Sequence, residues 1–452
     1  MRSRHPLVVL TVLSALLLPS PQSAARAQSI LRDAETEAFF RDISRDMVIA
    51  AGLEPKNVQF ILVGDPSINA FVTGGQNVFI HSGLLIAADD VGELQGVIAH
   101  ELGHIAGGHG VRFGEGAGPA TNISLLSLVG AAAAIALGAG EAGMALLGIG
   151  TQAAQSKFLS FTRDQESRSD QAGAQFLSKA GISGKGSIRF FEKLLGEEFR
   201  LAIKQDNDYN RTHPLSGTRI ANLEDVYKRD PAWDRPSNAE FNARFKRVRG
   251  KLIGFVEDPP RVFQRYPETD QSVAARYARA YAWHRSAYAD AARIEADKLL
   301  QSAPDDPYFL ELKGQILLES GKAPDALPVL RAAVANAPNE PLIMTLLGHA
   351  LISTETKPAF AEAEPLLKKA IARDRENPFA WYQLGVIYDR AGDAPRAALA
   401  AAERYTLEGN APGAAANARL AMNGLPKGTP DWIRAEDISL VAGDALGKKK
   451  RR

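Results

Sequence analysis

Val97-Ile98-Ala99-His100-Glu101-Leu102-Gly103-His104-Ile105-Ala106 is the stretch on which the reading of the chain turns. Asp90 stands ahead of it with Glu93 three residues later, as in a capping box, and Val91, Leu94, Val97, Ile98, Leu102 and Ile105 recur at helical spacing. A helix from about Val91 to Gly107 is expected. On it His100 and His104 share one face, so both imidazoles can reach a single Zn2+ at about 2.0–2.1 Å. Glu101 lies next to that face, in place to take a proton from a water attacking a peptide carbonyl that the ion polarises. The apolar residues around the motif suit a buried helix rather than a surface helix with two solvated histidines.

A catalytic zinc site uses three protein ligands and keeps one position open. The 452 residues contain no cysteine, which excludes disulfides and thiolate chemistry and leaves His, Asp or Glu for the third ligand. Arg163-Asp164-Gln165-Glu166-Ser167-Arg168-Ser169-Asp170 offers two acids, Glu166 and Asp170, four apart on one helical face. One can bind the ion while the other orients a ligand, but the same stretch also reads as a solvated charge ladder, and spacing alone does not choose. A set of imidazoles and a carboxylate suits zinc, although similar sets accept other divalent ions.

Outward from the motif, Lys and Arg number 53 against 52 Asp and Glu, and no basic stripe interleaved with aromatics marks a nucleic-acid groove. The run Lys448 to Arg452 (a tail over 446–452) is expected to be solvated and disordered. At the other end, Arg2 and Arg4 precede an apolar run from Leu7 to Leu18 and the small-residue pattern Ala25-Arg26-Ala27. This reads as an export signal cleaved after Ala27, because the run falls short of the roughly 20 residues of a membrane span. A periplasmic protein is expected. The uncharged stretch from Thr121 to Gly140 is read as a buried or flexible helical hairpin near the site rather than a span, with peripheral membrane contact through 121–150 left open.

Asp33 to Ala51 reads as helix, Val58 to Gly64 as a strand, and Asn77 to His81, after Gly74-Gly75, as a second strand. Helices are also expected over Gln152 to Ala180, Gly186 to Gln205 and Ser216 to Lys228, with the loop Asn207 to Pro214 between the last two. Prolines punctuate a connector, 231–271, and beyond it the chain repeats. Ala280, Gly314 and Gly348 fall 34 residues apart and Gly385 comes 37 later, with the three extra residues expected in the turn around Ser353 to Lys357. Trp381-Tyr382-Gln383-Leu384-Gly385-Val386-Ile387-Tyr388 matches the tetratricopeptide signature W-x2-L-G-x2-Y. Stacked helix pairs over 272–445 would share a core and expose a concave face for protein partners, with a capping segment from Ala411.

The N-terminal half, from about Ala34 to Tyr227, resembles the HtpX-type zinc peptidases, which are related to the CAAX prenyl endopeptidases. The likeness rests on Asn69-Ala70-Phe71, Gly83-Leu84-Leu85, the His100 to His104 motif, Arg163 with Glu166 and Asp170, and His213-Pro214 with Arg219. It implies a zincin-type (gluzincin) domain over 28–230 with a small β-sheet, making the whole chain α+β and mostly helical with an α-solenoid behind. It implies Glu166 as the third zinc ligand, and Asp170, Arg163 and Arg219 as supporting residues. The resemblance places His213 near the metal, where it either supports the transition state or occupies the open coordination position; Arg219 would fix that loop. The combination of signal, peptidase and repeats resembles periplasmic proteases of outer-membrane protein quality control. That implies stalled barrel precursors as substrates, docking of the repeats on clients or assembly machinery, and pairing of the strand 77–81 with an extended substrate. A chaperone or adaptor with a mostly closed metal site, and a membrane-associated protease, are the competing readings.

Overall fold

Residues 30–109, 123–124, 126–128, 140–200, 213 and 215–450 are described by a computed structural model. The export signal, most of the Thr121 to Gly140 stretch, and the loop before His213 together with Pro214 lie outside the described residues. Four short strands, β1 (Ile30–Leu31), β2 (Gln59–Val63), β3 (Ala70–Thr73) and β4 (Asn77–His81), form one sheet in the order β1-β2-β4-β3. β2 and β4 run parallel, with Gln59 opposite Asn77 and Val63 opposite His81, while the outer pairs are antiparallel. Gly74 and Gly75, both at positive φ, make the β3–β4 turn. This corrects one expectation, since the strand 77–81 is interior and both its edges are already paired. Among the described residues the unpaired edge on that side belongs to β3, a four-residue strand too short to stand out in the sequence.

Helix α1 (Ala34–Ala50) starts where Asp33 accepts from the Thr36 amide at 2.7 Å, and it buries Phe39, Phe40, Ile43 and Met47 against the sheet side of the core. A short α2 (Ser82–Ala87) leads into α3 (Val91–Ala106), the motif helix. Asp90 caps it by accepting from the Glu93 amide at 3.0 Å. The Glu93 carboxylate reaches back to the Asp89 amide at 3.0 Å, one residue before the cap, because Lys193 holds it there at 2.7 Å. Next come α4 (Gly140–Ala180), which begins well before the expected Gln152, then α5 (Lys185–Arg200) and α6 (Gly217–Lys228). Glycines let α3 lie almost backbone to backbone on two of these. A Cβ on Gly103 would come within 2.6 Å of the Ser169 carbonyl in α4, and one on Gly96 within 2.5 Å of Ser187 Cα in α5. No helix among the described residues is long and apolar enough to cross a membrane.

Helices α7 (Ala239–Val256) and α8 (Pro259–Arg265) follow. Phe245, Val248 and Leu252 of α7 join the core of the N-terminal half, while Gly250 and Gly254 lie on Ala274 and Ala278 of the helix that follows α8. A polar seam backs this junction. Lys251 ion-pairs with Asp33 and Glu35, Arg247 pairs with Glu35 and holds Asp306 with two bonds of 2.6 and 2.7 Å, and Tyr277 donates to Glu35 at 2.8 Å. Arg32 donates to Glu37 at 2.6 Å and to Asp374 at 2.7 Å.

Five helix pairs stack beyond the seam: α9 (Val273–Arg285) with α10 (Ala289–Ser302), α11 (Pro307–Glu319) with α12 (Ala323–Asn336), α13 (Pro341–Ile352) with α14 (Lys357–Arg373), α15 (Pro378–Arg390) with α16 (Ala394–Leu407), and α17 (Ala411–Gly424) with α18 (Pro430–Lys450). The signature glycines make room for the partner helix: Gly314 faces Leu330, Gly348 faces Leu367, and Gly385 faces the smaller Ala400. The three extra residues are in α14 rather than in the turn, because that helix has 17 residues against 14 in α12. Thr356 caps it one turn early, with Pro358 in its first turn. The backbone of the basic run is helical through Lys450, where a disordered tail is expected, and residues 451–452 lie outside the described residues.

Candidate metal centre

Helix α3 carries His100, Glu101 and His104 into the interior, where they are 2%, 0% and 7% exposed. Helix α4 brings Glu166 and Asp170 to them, and His213 arrives just ahead of α6. His100, His104, Glu166 and His213 present one ligand atom each within 4.8 Å of one another. His100 Nε2 lies 3.1 Å from His104 Nε2, 3.3 Å from His213 Nδ1 and 3.3 Å from Glu166 Oε2. His104 Nε2 is 3.3 Å from Glu166 Oε1, and His213 Nδ1 is 3.1 Å from the same oxygen. Four donors at about 2.0–2.1 Å from a tetrahedral ion lie about 3.3–3.4 Å apart, which the contacts of 3.1–3.3 Å among these groups approach. The buried Glu101 carboxylate gives a second sign of fit. Neither of its oxygens has a hydrogen-bond partner among the described residues, and His213 Nε2 stands 3.5 Å from Oε1.

The electrostatics follow from crowding. Burial opposes charge on His100, yet hydrogen bonds to Asp170 and Glu166 prevail and push it up to about 10. Burial holds His104 below its usual range despite Glu166. Against the opposing effect of burial, the three imidazoles hold Glu166 well below the carboxylate range, and His100 with Arg219 does the same for Asp170. Such a centre exchanges a proton for a cation when it binds one. Asp170 accepts from His100 Nδ1 at 2.9 Å and from the Arg219 guanidinium through two bonds of 2.8 Å. The fork also places Arg219 Nη1 3.3 Å from Glu166.

Of the residues expected at the site, Arg163 alone is not brought in. It is exposed on α4, one turn before Glu166, where the helix has left the core. The charge ladder exists beside the site, as Asp164 pairs with Arg168 on the outer face at 3.0 Å while Glu166 and Asp170 face inward. Two further residues are at the site without having been expected from the sequence. His109, buried just past α3, places its Nδ1 3.0 Å from His104 Nδ1, and the buried Ser169 hydroxyl is 3.1 Å from that same His109 nitrogen. The signal available is a histidine five residues after His104 across Gly107-Gly108.

The comparisons with known proteins agree with this geometry. Residues 34–227 match the model of Peptidase family M48, and tetratricopeptide-repeat models match 290–341, 311–357 and 366–398. The chain therefore carries an M48-family peptidase domain followed by tetratricopeptide repeats. It is related, at modest identity, to proteins named beta-barrel assembly-enhancing protease. One, from Yersinia pestis, is 27% identical over 356 residues, covering 77% of this chain and 71% of the relative. Another, from Escherichia coli, is 24% identical over 387 residues, covering 84% and 77%. The E. coli metalloprotease LoiP is 30% identical over 179 residues, 39% of this chain and 65% of its own.

Proposed function

We propose that the protein is an exported zinc endopeptidase that hydrolyses misfolded or stalled outer-membrane protein precursors in the periplasm. The observation that carries the reading is the set of four ligand atoms within 4.8 Å of one another, beside a buried Glu101 carboxylate that accepts no hydrogen bond among the described residues. His100, His104 and Glu166 hold the ion, and Asp170 with Arg219 orients His100. A zinc ion bound there supplies Lewis acidity to the scissile carbonyl and acidifies the attacking water. Glu101 accepts the water proton and returns it to the leaving amine, and with no donor on it among the described residues its lone pairs are available for that task. The edge of β3, unpaired among the described residues, is suited to pair with the backbone of an extended client, a mode that demands little of side-chain sequence. A peptide series in which proline is cleaved equally well at every position would rule that pairing out.

His213 supports a second reading. Its Nδ1 lies 3.3 Å from His100 Nε2 and 3.1 Å from Glu166 Oε1, so it could take a fourth coordination position, and a protein held in that state would act as a chaperone or adaptor. We assign the repeats over 272–445, joined by the connector 231–271, to docking on clients or assembly machinery, in line with the names of the relatives. The test is metal analysis of purified protein with cleavage of an unfolded barrel protein by wild type, Glu101→Gln and His213→Ala. One equivalent of zinc, no cleavage by Glu101→Gln and altered cleavage by His213→Ala are expected. Equal activity in all three would sink the enzyme reading.

A further inference from the structure

We infer that His109 is a positioning residue for the metal centre: its unprotonated Nδ1 accepts the Nδ1 proton of His104 and so fixes the tautomer and ring angle of that ligand. The inference rests on the metal-binding reading and deepens it. A single proton must lie between two imidazole nitrogens 3.0 Å apart. If His104 offers Nε2 to the cage, where it stands 3.3 Å from Glu166 Oε1, its proton is on Nδ1 and it is the donor. His109 Nδ1 is then the acceptor. The Ser169 hydroxyl, 3.1 Å from that nitrogen, is a second donor available to the same lone pair. The remaining His109 proton therefore belongs on Nε2.

The local fold is built for this contact. Helix α3 ends at Ala106, Gly107 caps it, and Gly108 at φ 64° turns the chain back so that His109 lies under His104. A Cβ on Gly107 would collide with the His109 ring. Gly103 brings the Ser169 backbone against α3 and so carries the hydroxyl to His109. The result is a pair of unequal ligands. His100 leans on a carboxylate that is itself held by Arg219, whereas His104 leans on a neutral ring. An outer partner of this kind is worth about 10–100-fold in metal affinity.

The experiment uses the full mature chain and Zn2+ competed against a chromogenic chelator, with the visible spectrum of the Co2+ form as a second readout. His109→Leu, which fills space without accepting a hydrogen bond, is expected to weaken zinc binding about 10–100-fold and to change the Co2+ bands. His109→Gln, which offers an amide oxygen, is expected to recover most of the affinity. Wild-type affinity and an unchanged spectrum in a folded His109→Leu would overturn the inference alone; a wild type without stoichiometric zinc would overturn the metal-binding reading as well. Should the leucine variant fail to fold, histidine-selective 15N spectra of zinc-loaded wild type decide the matter. His109 protonated on Nε2 and His104 on Nδ1 supports the assignment, and the Nδ1–H tautomer at His109 overturns it.

Discussion

In the N-terminal half, groups that touch come from distant parts of the chain: positions 100, 166 and 213 meet in one cage, and a single core gathers residues from Phe39 to Leu252. In the repeats they come from the next helix, with Gly314 on Leu330 and Gly348 on Leu367, and the apolar contacts divide into successive small cores. Both regions use glycine to bring helices close, with different results. In the peptidase domain it admits backbone and so sets where Glu166 and Asp170 stand; in the repeats it admits a side chain and sets only local spacing. Damage should therefore spread in the first region and stay put in the second.

The largest effect should appear where chemistry depends on one buried group. Glu101→Gln is expected to lower cleavage of an unfolded barrel protein by about 10²–10⁴-fold, with metal content and melting temperature unchanged. A repeat-core change tests the opposite pole. Leu330→Ala should cost about 2–5 kcal/mol, detected by hydrogen exchange as opening of neighbouring helix pairs, while zinc affinity stays at the wild-type value. Loss of zinc binding in that variant would break the contrast between the two halves.

Equal substitutions sharpen it. Gly103→Ala forces α3 off Ser169 and should cost about 1–3 kcal/mol together with weaker zinc binding, because the helix it displaces carries Glu166. Gly385→Ala, whose new methyl would meet Ala400 Cβ at 3.5 Å, should be neutral or stabilising by up to about 1 kcal/mol, as read from thermal unfolding of the two variants side by side.

Changing pH probes the same centre without a substitution. His100 is raised in the fold from its ordinary 6.5 to about 10, so its contribution to the metal-free protein is fully present below 6.5 and is lost as pH rises through 10. Chelator-treated protein should lose melting temperature across that window, while the zinc-loaded form holds steady. Zinc affinity should rise with pH over the same range, by at most about tenfold per unit for one displaced proton.

The same contrast explains which features are legible in the amino-acid sequence. A repeat shows itself as a period because its contacts recur at fixed separation, so the signature around Trp381 places its helix correctly. The motif helix is legible because His100 and His104 are one turn apart on it. Residues meeting across the fold leave no such trace. Only family resemblance distinguishes Glu166 from Asp170, and it also brings in Arg163, although the helix has emerged from the core there. Helical spacing does not point to His109, because a glycine turn is what returns it to the site. The strand 77–81 reads as strand, but its central place depends on the register of β2 and β3 around it.

The seam at Arg32, Asp33 and Glu35 bears on how the molecule can be handled. These residues adjoin the expected processing site in sequence, yet their partners include Asp374, Lys251 and Tyr277. A purification tag fused directly ahead of Ile30, or trimming that runs a few residues too far, would disturb the junction of both halves at once. A peptidase fragment cut away near residue 230 would strand Glu35 without its cations, so dissecting the protein into working parts calls for a break elsewhere.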